Sequence, residues 1–545
     1  MSSESPASSR SRHWVVIETG ANQAYVFASN KQAVNVGASE LIFRSGTEWV
    51  KTAVDKINEE HTEPVVEIVV AASGKALLLA DDEDAGRAVI RAVTRRALDE
   101  APGLEIWGTV DPTSVTEDKL GKGLLRAYQL QAAWRSRRPS PLLRHPTLPF
   151  TRPCHYSGQP STAFGYEGTR PYSRSARVDA AWQQRDAGRQ RMASRLGEEA
   201  VVSASQLADG VSNAGWVAVM HADGNGIGAI FQKLAQEPGP EFLDNLRAFS
   251  AALDEVTLEA LKQAVAAQQG RDNWLLPLVV GGDDVTVVMD ARPAFDVTAT
   301  FVEQFAKIAA GHPVVQKVLA GGKHPGLTAC AGIAYVKPHY PFSQAYKLAE
   351  DLCTSAKQIK RIDDRCGALD FHVLHDSVGQ RLEQIRTPLT VPDGARALSR
   401  LWPGPVVIGT PQAGSWAAAH DVALLRSAVD ELSKASEDDP PVLPRSALHR
   451  LRQALLTGRA EVERARDQVA VWAPDPATAR PFLDAHLLVH EPAEESSPDG
   501  ERQQVRFSRL LGAVDLIDMA TGTAPHANRE AGRTGGQPPR QEALR

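Results

Sequence analysis

The stretch LLPLVVGGDDVTVVM, Leu275 to Met289, constrains this chain more than any other. Two apolar, β-branched runs flank Gly281, Gly282, Asp283 and Asp284, which predicts a hairpin whose glycine pair supplies the positive φ angles of a tight turn. Two neighbouring carboxylates at such a tip repel unless a cation lies beside them. A solvated turn suits the same four residues, and an element upstream tips the choice. Trp216 to Ala222 reads as a short buried strand that runs straight into Asp223, Gly224, Asn225, Gly226, Ile227 and Gly228. Ile230, Phe231 and Leu234 follow at helical spacing. A strand ending in Asp and leading into small residues and a helix brings a carboxylate and several backbone N–H groups to one point. Beside the hairpin this makes three carboxylates and a phosphate cradle, the inventory of two-metal phosphoryl transfer.

The 545 residues exceed what one core organises and suffice for about three or four domains. A formal net charge of −6 argues against a generally basic nucleic-acid coat. Cys154, Cys330, Cys353 and Cys366 are too few for a disulfide framework and fit a reducing, cytoplasmic compartment. No apolar run reaches the roughly 18 residues of a membrane span. The opening MSSESPASSRSRH lacks the apolar segment of a secretory signal.

Taken in order, Trp14–Gly20 is a strand, and Val36 to Ile57 a helical stretch with Leu41, Ile42, Trp49, Val50 and Val54 on one face. Val65–Ala72 and Ala76–Ala80 form a hairpin about Ser73, Gly74 and Lys75. Asp81–Glu100 is a helix with acids in its first turn, and Leu104–Val110 a closing strand. The order is βαββαβ, and the region around Asp223 repeats it. The expected fold class is α+β: two ferredoxin-like (βαββαβ) palm domains joined by a mainly helical linker, followed by a C-terminal α-helical domain. The expected boundaries are a disordered arm over 1–12, a degenerate palm over 13–110, a basic linker over 111–214, a GGDD palm over 215–375, a helical domain over 376–519 and a disordered tail over 520–545. The first hairpin tip carries no carboxylate, and Glu18 is the only acid near the end of its opening strand, so the first palm reads as a silent copy.

The linker concentrates Arg135, Arg137, Arg138, Arg144, Arg170, Arg185 and Arg189. It reads as a solvated connector, with an RNA- or nucleotide-facing surface as the alternative. Cys154 and His155 look like half of a zinc knuckle whose second cysteine is missing. His375-Asp376 and His420-Asp421 lack the partners of a hydrolase metal site and read as structural or capping residues.

In HADGNGIG (221–228), GGDD (281–284), ACAGIAYVKPHYP (329–341) and AYKLAEDLCTSAKQIKR (345–361) the second unit resembles the catalytic palm of the polymerase/cyclase large subunit of type III CRISPR effector complexes. The first resembles that family's degenerate palm through IETGANQAYVF (17–27) and VGASELI (36–42). The resemblance covers roughly residues 13 to 375. It implies a nucleotidyltransferase that joins ATP into cyclic or linear oligoadenylate messengers in antiviral defence. It also implies effector subunits and RNA as partners, or a stand-alone relative. The first palm begins near residue 13, so the nuclease domain of many members is not expected, and the family's cysteine cluster between the palms is reduced to Cys154.

On this reading Asp223, Asp283 and Asp284 hold two Mg²⁺ (or Mn²⁺) ions, with an added oxygen from the carbonyl of Ala222 or Gly224. Gly224, Gly226 and Gly228, with Gly281 and Gly282, let backbone approach the triphosphate. Lys357 is the first choice of cation for the β/γ-phosphates and Lys337 the second, and Asn225 bonds a ribose or phosphate. Ser73, Lys75 and Asn22 of the silent palm are candidates for the acceptor nucleotide. A diguanylate-cyclase-like enzyme using GTP, a longer-chain polymerase, and a non-catalytic nucleotide- or RNA-binding scaffold subunit remain as alternatives.

Overall fold

The computed structural model describes residues 11–137, 149–167, 170–203, 205–207, 215–236, 239, 241–268, 271, 274–320, 326–375, 381–392, 397–434, 440–492 and 504–521. Most of the arm expected over 1–12 and of the tail expected over 520–545 lies outside them, as do Arg138, Arg144 and Asp376.

The first unit runs β1 (His13–Gly20), α1 (Asn22–Val26), α2 (Gln32–Gly46), α3 (Glu48–Glu59), β2 (Val66–Ala72), β3 (Lys75–Ala80), α4 (Glu83–Glu100) and β4 (Glu105–Val110). Its four strands lie in the order β2-β3-β1-β4, every neighbouring pair antiparallel. Alternation along β1 sends Val15 and Ile17 to one apolar cluster and Trp14 and Val16 to another, so the sheet is covered on both faces. The single helical stretch expected over 36–57 is two helices. They part at Thr47, beside Gly46, where an added Cβ would stand 2.0 Å from the Ala72 carbonyl oxygen. The helix there runs against the β2–β3 hairpin and turns aside.

The connecting region holds α5 (Leu120–Ser136), a small hairpin of β5 (Ala163–Glu167) and β6 (Arg170–Arg174), and α6 (Ala176–Leu196). Helix α6 lies so close along α2 that a Cβ at Gly37 would meet the Ala181 carbonyl oxygen at 1.7 Å. Such contact of backbone on backbone is open only to glycine.

The second unit runs β7 (Val217–Gly224), α7 (Ile227–Gln236), α8 (Phe242–Ala266), β8 (Leu275–Gly281), β9 (Asp284–Asp290), α9 (Ala294–Gly311), α10 (Pro313–Leu319), β10 (Ala329–Val336), α11 (Phe342–Ala356), α12 (Ile359–Ile362) and β11 (Gly367–Val373). Strands β8-β9-β7-β10 repeat the order of the first sheet, again all antiparallel. The sequence after Asp370 reads as helical, but residues 371–373 do not turn into helix. They end β11, which runs parallel to β10, with α11 as the crossover between them. The seven residues of β11, GALDFHV, set Asp370 and His372 on one face, and Asp370 is buried by its pair with Arg386, a partner the local sequence does not reveal.

The chain continues through α13 (Leu382–Arg386), β12 (Thr390–Pro392), β13 (Ala397–Arg400), β14 (Val406–Ile408), α14 (Trp416–Ala419), α15 (Val422–Ser433), α16 (Arg445–Thr457), α17 (Arg459–Trp472), α18 (Pro476–His486), β15 (Val489–His490), β16 (Gln504–Phe507) and α19 (Arg509–Thr521). The purely helical C-terminal domain is therefore corrected. Strands β12-β13-β16-β15 form a sheet of their own, and β14 extends the second sheet at β11. These strands are two to four residues long, too short to carry an alternating pattern. His420 and Asp421 are structural, as expected. His420 Nε2 lies 3.1 Å from the buried Glu491, and Asp421 caps α15 by accepting from the Ala423 N–H.

Candidate active site

Strands β7 and β9 pair so that Asp223 stands opposite Asp284. Opposite residues of an antiparallel pair lie about 5 Å apart and point to one face, so both carboxylates leave the sheet together. Asp283 follows Gly282 in the two-residue turn that joins Gly281 to its partner Asp284. Only Gly282 has a positive φ, 62°, and it stands first in the turn, where a type II′ hairpin calls for glycine. Gly281 ends β8 without one, which corrects the expectation of two.

The glycines after Asp223 divide their work. A Cβ at Gly224 would stand 2.9 Å from that of Asp283, and the Gly224 N–H donates to the Asp283 carbonyl oxygen at 3.2 Å. Gly224 thus admits the hairpin tip. Gly226 takes φ 75° and faces Lys360 Nζ, 3.4 Å from where its Cβ would lie. Gly228, in the first turn of α7, has open space where its side chain would be. Asn225 was expected to reach a ligand. Its side chain instead turns into the protein, donating to Thr328 Oγ1 at 2.9 Å and Cys330 Sγ at 3.3 Å, and so ties the loop to β10.

Lys357, at the C-terminal cap of α11, bonds the Asp223 carboxylate. Burial opposes its charge, but the bond to Asp223 outweighs it and raises the lysine pKa. Lys337 is not in the site. It follows Val336, which pairs with Val217 at the opposite end of β7 from Asp223, a separation of roughly 20 Å at strand rise. Its ammonium lies 3.7 Å above the Trp216 ring.

His221 was not singled out from the sequence, although it lies two residues before Asp223 and hence on the same face. Its Nδ1 is 3.1 Å from Thr286 Oγ1 and 3.4 Å from Asp284 Oδ1, and burial pushes its pKa down, towards neutral imidazole. Burial, then the Asp223 charge, push Asp283 up to about 6 and Asp284 up to about 7.

Among the described residues no three acidic, imidazole or thiol groups stand close enough to enclose a metal ion as the side chains lie. The ammonium of Lys357 takes one carboxylate of the set. The donors nonetheless suit a hard divalent cation. They are oxygen ligands of like charge, and Oδ1 of Asp284 is buried without a hydrogen-bond partner although half of that side chain is exposed.

The first palm has the same register with different chemistry. Glu18 stands opposite Lys75, as Asp223 stands opposite Asp284, and the two side chains pair at 3.4 Å. Lysine there supplies internally the positive charge that a carboxylate would recruit. Between the two hairpin tips lies a cavity of about 550 Å³ lined by Ser73, Gly281 and Gly282, with Arg191, Arg195 and Arg247 on its walls. Lys75 and Asn22 do not line it. Cys154 is buried and belongs to no group of three potential metal ligands among the described residues.

Residues 216–365 match the family described as Cas10/Cmr2, second palm domain. The chain carries a Cas10-like palm. Its fold is similar to that of a Csm1–Csm4 cassette in complex with pppApA, at TM-score 0.52 and 14% identity, and of one in complex with cA4, at 0.51 and 12%. Each match spans 94% of this chain and 70% of that chain. At these identities the likeness to the cassettes shows the fold. Among curated proteins none matches. No helix in the described residues is long and apolar enough to cross a membrane. Within the Cas10-like palm, the matched segment holds Asp223, Asp283, Asp284 and Lys357 together.

Proposed function

We propose that this Cas10-like chain is a nucleotidyltransferase that joins ATP into cyclic or linear oligoadenylates, in a type III CRISPR setting with effector subunits and RNA as partners. One observation carries the reading: Asp223 and Asp284 face each other across β7 and β9, with Asp283 on the adjoining turn, inside the segment that matches the Cas10/Cmr2 palm. Structures of similar fold hold pppApA and cA4, which supports adenine nucleotides as the substrate class. We read both sheets as ferredoxin-like palms, with the domain boundaries given by the sequence.

Asp223, Asp283 and Asp284 would hold Mg²⁺, which when bound supplies positive charge to the attacking and leaving oxygens. The remaining steps belong to the chain. Lys357 is poised to exchange its bond to Asp223 for one to a phosphate oxygen, which frees that carboxylate. The open side of Gly228 and the first N–H groups of α7 give the triphosphate a place to lie. Neutral His221 lines the site beside Asp284, with its Nδ1 on Thr286 Oγ1. The first palm, with Lys75 on Glu18, contributes shape and no carboxylate pair.

The test is incubation of the purified protein with each α-labelled NTP and Mg²⁺ or Mn²⁺, beside Asp283→Asn/Asp284→Asn. The expected outcome is oligoadenylate from ATP in the parent and a loss of at least about 10³-fold in the variant. A guanine product would move the reading to a diguanylate-cyclase-like enzyme. No product with any NTP, with ATP binding intact, would leave a scaffold.

A further inference from the structure

Resting on that reading of Asp283 and Asp284, we propose that Arg195 and Asp254 are positioning residues that fix the turn carrying these carboxylates. Arg195 lies in the last turn of α6 and is mostly buried. Its Nη1 donates to the Val280 carbonyl oxygen at 3.1 Å and its Nη2 to Asp254 Oδ2 at 2.7 Å. The other oxygen of Asp254 accepts the Gly282 N–H at 3.2 Å. Thr257, one residue short of a helical turn further along α8, donates its hydroxyl to the Gly282 carbonyl oxygen. Both polar backbone groups of Gly282 are therefore tied to α8, and α8 is tied through one guanidinium to α6 and to the strand leading into the turn.

A two-residue hairpin tip has no neighbour of its own on its outer side. Here that side is occupied by residues from two helices distant in sequence. The planar fork of arginine suits the task, because one group meets a carboxylate and a carbonyl at once in fixed geometry. The far end of α6 is anchored as well. Arg177 donates to the carbonyl oxygens of Ala24 and Tyr25 in the first unit. Helix α6 is about 30 Å long at helical rise and packed along α2, so it connects the first unit to the GGDD turn as one stiff body. A displacement of about 1 Å at reacting groups costs on the order of 10²-fold in rate, so a brace here acts on turnover more than on substrate affinity.

The experiment compares the full-length parent with Arg195→Ala, Asp254→Ala, the double variant and Asp254→Asn. Two readouts are taken, hydrogen exchange of the amides of residues 281–285 and steady-state kinetics with ATP and Mg²⁺. The expected result is exchange at least about tenfold faster at the turn in both alanine variants, with the rest of the second sheet unchanged. The kcat falls about 10–100-fold while KM for ATP stays within about threefold. The double variant is no worse than the more severe single one, because the two residues act as a unit. Asp254→Asn retains the acceptor for Gly282 and recovers part of the loss. Unchanged protection at the turn in both single variants would overturn the brace. So would additive losses, or protection lost across the whole of α8 and its sheet. If the parent forms no product from any NTP, the proposed function fails, and the exchange data alone still decide whether the turn is braced.

Discussion

Asp283 and Asp284 sit well above the ordinary value of 3.8, at about 6 and about 7, through burial and the neighbouring Asp223 charge. In the metal-free protein this sets a direction. Between 3.8 and about 7 the folded chain holds protons on these carboxyls that the unfolded chain has released. The stability they contribute is therefore full below the unfolded value and lost as pH rises through the folded one. Asp284→Asn removes one such step. Its metal-free thermal midpoint should exceed that of the parent at pH 8 and match it near pH 4. Mg²⁺ favours the ionised form, so it should raise the parent midpoint more at pH 8 than at pH 5. Scanning fluorimetry across this range checks both, and a parent midpoint that climbs from pH 4 to 8 without metal would refute the argument. Asp283 and Asp284 stood out in the sequence because adjacent acids on a glycine turn are electrostatically costly, and Asp223 because a buried strand ends in it before small residues and a helix. The inward turn of Asn225 and the remoteness of Lys337 were not legible there, because a side chain's partner depends on strand register that the local sequence does not reveal.

Register is set at the scale of elements, and glycine contacts record it. Gly332 in β10 lies under α11, where an added Cβ would stand 2.0 Å from the Ala349 carbonyl oxygen and 2.4 Å from the Cys353 nitrogen. Both are backbone atoms, so relief requires the helix itself to move. Gly332→Ala should cost about 1–3 kcal/mol, as overpacking of a close contact does. It should also lower nucleotidyl transfer, because α11 carries Lys357 at its end. A denaturant midpoint unchanged from the parent would show that the helix yields without cost. The βαββαβ order of each unit could be read in advance, since its strands and helices are long enough to show their periods. Strand β11 and the short C-terminal strands could not. The former carries Asp370 and His372 on one face, with Asp370 buried against Arg386, and the latter owe their state to partners far along the chain, such as β13 to β16.

Duplication was visible in the sequence, but the way the two units meet was not, because contacts between domains leave no period. They share one apolar cluster that takes in Val15 and Ile17 of the first sheet and Val219, Leu278 and Val288 of the second. At its edge Phe27 packs on helix α11, its ring centroid 4.0 Å from that of Tyr346 and 5.3 Å from that of Phe342. Gln23, one turn earlier, donates to Glu350 at 2.8 Å on the same helix. The silent palm thus bears on the element that holds Lys357, which gives a palm without its own carboxylates a reason to stay folded against the other. Phe27 is nearly buried, and truncating such a ring leaves a cavity that neither unit can close alone. Phe27→Ala should cost about 3 kcal/mol and split unfolding into two calorimetric transitions, the first unit melting ahead of the second. Phe27→Leu, which keeps most of the volume, should retain a single transition. If Phe27→Ala instead melts in one step at the parent's temperature, the units are coupled through the α2–α6 contact rather than through this cluster. Arg195 would then be the more sensitive point at which to uncouple the GGDD turn from the first palm.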